Sequence, residues 1–113
     1  MSSKTRPEIY IEIGEKIREY RLKNNLTQKE LAEELDLTEK YVSRIENGKG
    51  GVKIETLTKA MNLLGMSPDI VFSELIENED IKQKLLLFSK ISELSQDRID
   101  FLLSIIDSLK ILK

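Results

Sequence analysis

Apolar residues recur along this chain at three- and four-residue steps, the period of an amphipathic helix. Ile13, Ile17, Tyr20 and Leu22 fall on one face of a helix expected over residues 8–24, which Asn24 and Asn25 end. Thr27 and Glu30 then form the sequence signature of a capping box. The helix it opens is expected over 28–35 and buries Leu31, Ala32 and Leu35. Asp36 breaks it. Thr38 caps a third helix over 39–47, with Val42 and Ile45 inward and Gly48 as its stop.

The same rhythm continues. Leu57, Ala60, Met61 and Leu64 line a helix over 54–64 that Gly65 ends. Ser67-Pro68-Asp69 is a cap followed by Pro at the first helical position. The helix it starts carries Ile70, Val71, Phe72, Leu75 and Ile76. A polar stretch over 77–84 follows, then two amphipathic helices over 79–92 and 96–112, the second capped by Ser95. The pattern predicts seven helices and no strand. It also predicts a flexible tail over 1–7, a first domain over 8–77 and a C-terminal helical segment over 78–113.

Composition narrows the function. Forty per cent of residues are hydrophobic, enough for a core, and 5% aromatic with two Pro favours helices over a sandwich. The chain has no Cys and no His. Disulfides and Cys- or His-based zinc sites are excluded, and the commonest general base and thiol nucleophile are missing. No Gly-rich phosphate loop appears. The chain is expected to be no enzyme and to carry no cofactor. No apolar run is long enough to span a membrane, and the first ten residues lack a signal-peptide core. A reducing cytoplasm fits the absence of Cys. Net charge is −2, but it is uneven. Residues 1–66 hold 12 basic against 11 acidic side chains, and residues 67–113 hold 6 against 9. A basic patch must therefore be sought by position.

Residues 28–47 read as helix, tight turn, helix, anchored by Leu31, Leu35, Leu37, Val42 and Ile45. Ala32 sits where the two helices cross. This is the helix-turn-helix pattern. The runs "LTQKELAEEL", "VSRIENGK" and "IETLTKAMNLLGMSPD" occur in the order and spacing of a known family. The chain resembles the Cro/repressor-type (XRE) helix-turn-helix regulators over about residues 10–75. The resemblance implies an all-α fold, a five-helix lambda-repressor-like DNA-binding domain with its third helix in the major groove of double-stranded DNA. It also implies a prokaryotic or phage regulator.

The third helix would then present Glu39, Lys40, Tyr41, Ser43 and Arg44 to base edges. Arg44 suits guanine O6 and N7 in bidentate fashion, and Lys40 suits guanine or a phosphate. Glu39 accepts from a cytosine amine or complements the helix N-terminus. Tyr41 packs on a thymine methyl, bonds a phosphate, or packs inward. Ser43 bonds a base edge or serves as a small spacer. The resemblance places Gln28, Asn47 and Lys49 on phosphates. Thr38 and Lys53 are further phosphate candidates. It also pairs Arg21 with Glu46 as a structural ion pair. Two departures stand out. Asp36 occupies a turn position that usually holds Gly, and Lys53 is a poor cap for the fourth helix.

In the last helix Ile99, Leu102, Ile106 and Leu109 form one apolar seam. Phe101, Ile105 and Leu112 form a second, widened by Leu103 and Ile111. A helix apolar on two sides needs two partners. Leu85 and Phe88 on the preceding helix offer one, and a second protomer the other, so Leu85, Phe88, Ile99, Leu102, Leu103, Ile106 and Leu109 are dimerisation candidates. The expected function is a transcriptional regulator, a repressor by preference, bound to an inverted-repeat operator as a homodimer. The alternative is an antitoxin or antagonist-controlled regulator whose C-terminal helices hold a protein partner.

Overall fold

A computed structural model of the chain describes residues 4–110. Seven helices run through them: α1 (Arg6–Lys23), α2 (Gln28–Leu35), α3 (Glu39–Glu46), α4 (Ile54–Leu64), α5 (Pro68–Phe72), α6 (Glu79–Ser92) and α7 (Gln96–Leu109). The described residues contain no strand. The all-α class that the periodicity implies is the class observed.

Local chemistry explains the boundaries. Thr27 and Glu30 form a full capping box: Thr27 Oγ1 accepts from the Glu30 amide at 3.0 Å, and Glu30 Oε1 accepts from the Thr27 amide at 2.9 Å. Those bonds from Thr27, the backbone one first, hold the Glu30 carboxyl below its ordinary range. Asp36 closes α2 in the left-handed region, at φ 56° and ψ 46°. Its chain direction brings the Leu37 amide back to the Ala32 carbonyl at 2.8 Å, which sets the sharp turn into α3. Lys53 stands at the N-cap of α4 and makes no side-chain cap bond.

Some expectations need correction. α1 begins at Arg6 rather than 8, because Thr5 caps it and Pro7 sits in its first turn. Lys4 pairs with Glu12. The expected tail therefore does not extend through residues 4–7, and its residues 1–3 lie outside the described part, as do Ile111 and Leu112. Leu22 points outward at 55% exposure. The inward stripe of α1 runs Ile13, Ile17, Arg21 in four-residue steps, and Leu22 falls off it. α5 stops at Phe72, and Leu75 follows in a turn. The Ser67 hydroxyl bonds the Asp69 carboxylate instead of capping α5, and Ser95 makes no side-chain cap bond.

The chain divides into two compact units, Met1–Glu77 and Asn78–Lys113. The first holds the core: Ile13, Ile17, Leu31, Ala32, Leu35, Val42, Ile45, Leu57, Ala60, Leu64, Met66 and Val71. Leu31 and Val42 are the largest fully enclosed side chains, one from each helix of the helix-turn-helix pair. Burial of each such side chain is worth about 1.5–3 kcal/mol. α1 crosses α3 backbone to backbone at Gly14. A Cβ there would fall inside the Ile45 carbonyl oxygen and lie 3.1 Å from that of Glu46.

The second unit has no such core. Neither α6 nor α7 has a buried residue. Leu85, Ile91, Leu94, Ile99 and Leu102 are half-buried. Ile81, Leu86, Leu87, Phe88, Phe101, Leu103, Ile105, Ile106 and Leu109 are exposed. The cover that α6 was expected to give α7 is partial.

Candidate nucleic-acid interface

The site begins with what α3 cannot expose. Val42 and Ile45 are buried and fix the helix on its apolar side. The rest of the helix must therefore face away from the core. Gln28, Glu39, Lys40, Ser43, Arg44, Asn47 and Lys49 line one open polar hollow. It spans the first turn of α2, the outer face of α3 and the loop beyond it. Three cations (Lys40, Arg44, Lys49) and one carboxylate (Glu39) stand in it. The surface is locally basic on a chain of net charge −2.

The remaining candidates sit beside it. Thr38, Tyr41 and Lys53 line a neighbouring hollow with Asp36, Leu37 and Thr56. Thr38 Oγ1 accepts the Tyr41 amide at 3.1 Å, so the hydroxyl caps α3 and keeps its own proton uncommitted. Tyr41 is half-buried and packs against the core, so part of its ring is used inside the fold.

The loop after α3 shapes the far end. Gly48 turns it at φ +68° over Ile11 of α1. Asn47 Nδ2 donates to Ser43 Oγ at 3.3 Å. Arg44 Nη2 lies 3.5 Å from the Lys49 carbonyl, a long contact that leaves most of the exposed guanidinium unengaged. A side chain at Gly50 would come within 3.1 Å of that nitrogen.

Beneath the hollow lies the ion pair. Arg21 and Glu46 are 7% and 5% exposed. Arg21 Nε donates to Glu46 Oε2 at 2.7 Å, Nη2 to Oε1 at 3.0 Å, and Nη1 to the Leu26 carbonyl at 2.8 Å. This is a side-on bidentate pair with a third anchor, and it ties the end of α1 to the end of α3. Gln28 joins it: Nε2 donates to Glu46 Oε1 at 3.1 Å. The sequence gives no direct sign of that contact. Gly14 was missed too, although a Gly inside a helix is a packing signal.

At the start of α2 the capping box satisfies the amides of Thr27 and Glu30. Those of Gln28 and Lys29 have no partner among the described residues. Free amides at a helix start, beside Gln28 and above a neutralised ion pair, suit a phosphate oxygen. With its side chains a helix such as α3 is roughly 10–12 Å across, and the major groove, roughly 12 Å wide, admits it.

The geometry agrees with what comparison finds. A helix-turn-helix family model matches residues 17–71. The chain is 41% identical over 56 residues to the control protein C.BamHI of Bacillus amyloliquefaciens, covering 49% of this chain and 69% of the relative. It is 38% identical over 73 residues to the control protein C.MunI of a Mycoplasma species, covering 64% of this chain and 97% of the relative. No solved structure matches significantly. No helix of the described residues is long and apolar enough to cross a membrane. With a buried helix-turn-helix pair, a basic polar face on its second helix and relatives of this similarity, the chain belongs to the XRE-type helix-turn-helix family of DNA-binding regulators.

Proposed function

We propose that the protein is a cytoplasmic transcriptional regulator that binds an inverted-repeat site on double-stranded DNA as a homodimer, and that it acts by binding rather than catalysis. The observation that carries this is the polar hollow over α2, α3 and the following loop. Arg44, Lys40, Glu39 and Ser43 meet base edges. Gln28, the free amides of α2, Asn47 and Lys49 meet phosphates. Thr38, Tyr41 and Lys53 flank the same strand. The two relatives are named control proteins, which fits a role in transcriptional control.

The dimer follows from what α6 and α7 leave open. Phe101 is 68% exposed and Leu109 55%. Helices that enclose no side chain fully have little driving force to stay folded alone. A second copy offers the same apolar faces in a twofold arrangement, with Phe88, Leu103, Ile106 and Leu109 in the contact and Leu85, Ile99 and Leu102 beneath it. Two recognition helices related by that axis read two half-sites about one helical turn apart.

Selection of bound fragments from the source genome at physiological salt tests the proposal. An inverted repeat with half-sites one turn apart is expected. Well-folded protein that recovers no common sequence would refute it. Sedimentation of a Leu103→Glu/Leu109→Glu variant is expected to show monomers, and an unchanged dimer would refute the assignment of this interface.

A further inference from the structure

Gln28 joins two parts of the molecule that otherwise have separate jobs. It lines the basic hollow, and its side chain also reaches the buried ion pair. Both oxygens of the Glu46 carboxylate accept from Arg21, and they offer Gln28 lone pairs rather than a proton. The group that Gln28 turns inward must therefore be its NH2 rather than its carbonyl. One of the two N–H bonds is used on Glu46 Oε1 at 3.1 Å. The other has no partner among the described residues, on a side chain that lines the hollow.

We infer that Glu46 is a positioning residue for DNA binding. It fixes the amide of Gln28 in one orientation before DNA arrives, so that an N–H donor, and not the carbonyl oxygen, meets the phosphate. This rests on the DNA-binding role proposed above and adds the device that orders one of its phosphate contacts. The physical gain is preorganisation. A Gln side chain has three rotatable bonds and two amide faces, and an exposed one would have to be ordered on binding. Here the folding of the Arg21–Glu46 pair has already ordered it. A free amide would also meet the phosphate with its oxygen in part of the population, which repels. The chain α1–Arg21–Glu46–Gln28 thus runs from the core to the DNA face through charge-assisted bonds.

Two measurements test it. The first is the heteronuclear NOE of the Gln28 side-chain amide in the DNA-free protein, compared with exposed Gln83. The expected result is a Gln28 amide close to backbone rigidity and a mobile Gln83. An equally mobile Gln28 amide would overturn the inference, whatever the DNA result. The second is affinity of wild type and Gln28→Met for random-sequence duplex, with thermal melting of both. Methionine keeps the length and loses both amide groups. Roughly tenfold weaker binding is expected at a temperature where both proteins are fully folded, the worth of one hydrogen bond to a charged group, with a lower Tm because the bond to Glu46 is lost as well. Equal affinity would overturn the phosphate contact. Failure of wild type to bind duplex at all would instead overturn the DNA-binding role itself, so the two failures are distinct. Glu46→Gln, where it folds, is expected to raise Gln28 amide mobility; continued rigidity there would remove Glu46 from the role.

Discussion

Arg21→Ala is the perturbation whose cost is best defined by the structure. Its guanidinium makes three bonds of 2.7–3.0 Å, two to Glu46 and one to the Leu26 carbonyl. The Glu46 side chain is 1% exposed. Removing Arg21 leaves that carboxylate buried with the Gln28 amide as its remaining partner. Stranding one member of a buried pair costs about 3–5 kcal/mol. A unit of this size is stabilised by roughly 4–11 kcal/mol, at 0.05–0.15 kcal/mol per residue. The variant should thus lose between roughly a quarter and all of its stability. Urea unfolding followed by circular dichroism at 222 nm is the assay. With a slope of about 1–2 kcal/mol per M, the midpoint should fall by roughly 1.5–5 M. Arg21→Met combined with Glu46→Leu should regain most of the loss, because no charge is then stranded. Glu19→Ala, at the exposed Glu19–Lys23 pair, serves as the control and should move the midpoint little. An Arg21→Ala midpoint within 0.5 M of wild type would refute the reasoning.

Other outcomes follow from single positions. Gly14→Ala pushes a methyl into the Ile45 carbonyl and should cost at least about 1–3 kcal/mol by overpacking, read as a lower melting temperature. Asp36→Gly, at φ 56°, should stabilise by roughly 0.5–1 kcal/mol in the same assay, since Gly adopts that region without a Cβ penalty. Glu30 has a lowered pKa in the fold. Its contribution is complete above its unfolded value and lost as pH falls through the folded one, so Glu30→Gln should flatten the acid side of the stability curve. Lys49→Ala should reduce the slope of log affinity against log salt by about 1 on any duplex sequence.

The sequence was most informative where local chemistry decides structure. The capping box at Thr27 and Glu30, Thr38 at the start of α3 and Gly65 after α4 are short-range signals, and each marks an observed helix end. The left-handed turn at Asp36 was legible as a departure from Gly, because the turn shape demands φ > 0 whatever residue fills it. Leu22 was misplaced because the inward stripe after Ile13 and Ile17 is completed by Arg21, and a charged residue rarely takes the buried position. Knowing that Arg21 has a partner 25 residues away reverses that choice. Gly14 and the Gln28–Glu46 bond depend on how α1, α2 and α3 cross, which periodicity does not encode. The polar hollow was readable as a set of residues on one helix face, and its concavity comes from the loop that carries Lys49.

Guanine methylation interference on the selected DNA site tests the central claim most directly. Wild type should show interference at major-groove guanines in two clusters about one helical turn apart, related by twofold symmetry. Arg44→Ala should lose one guanine position in each cluster and keep the phosphate footprint. Interference in a single cluster, or a pattern that Arg44→Ala leaves unchanged, would contradict a dimer that reads DNA through α3.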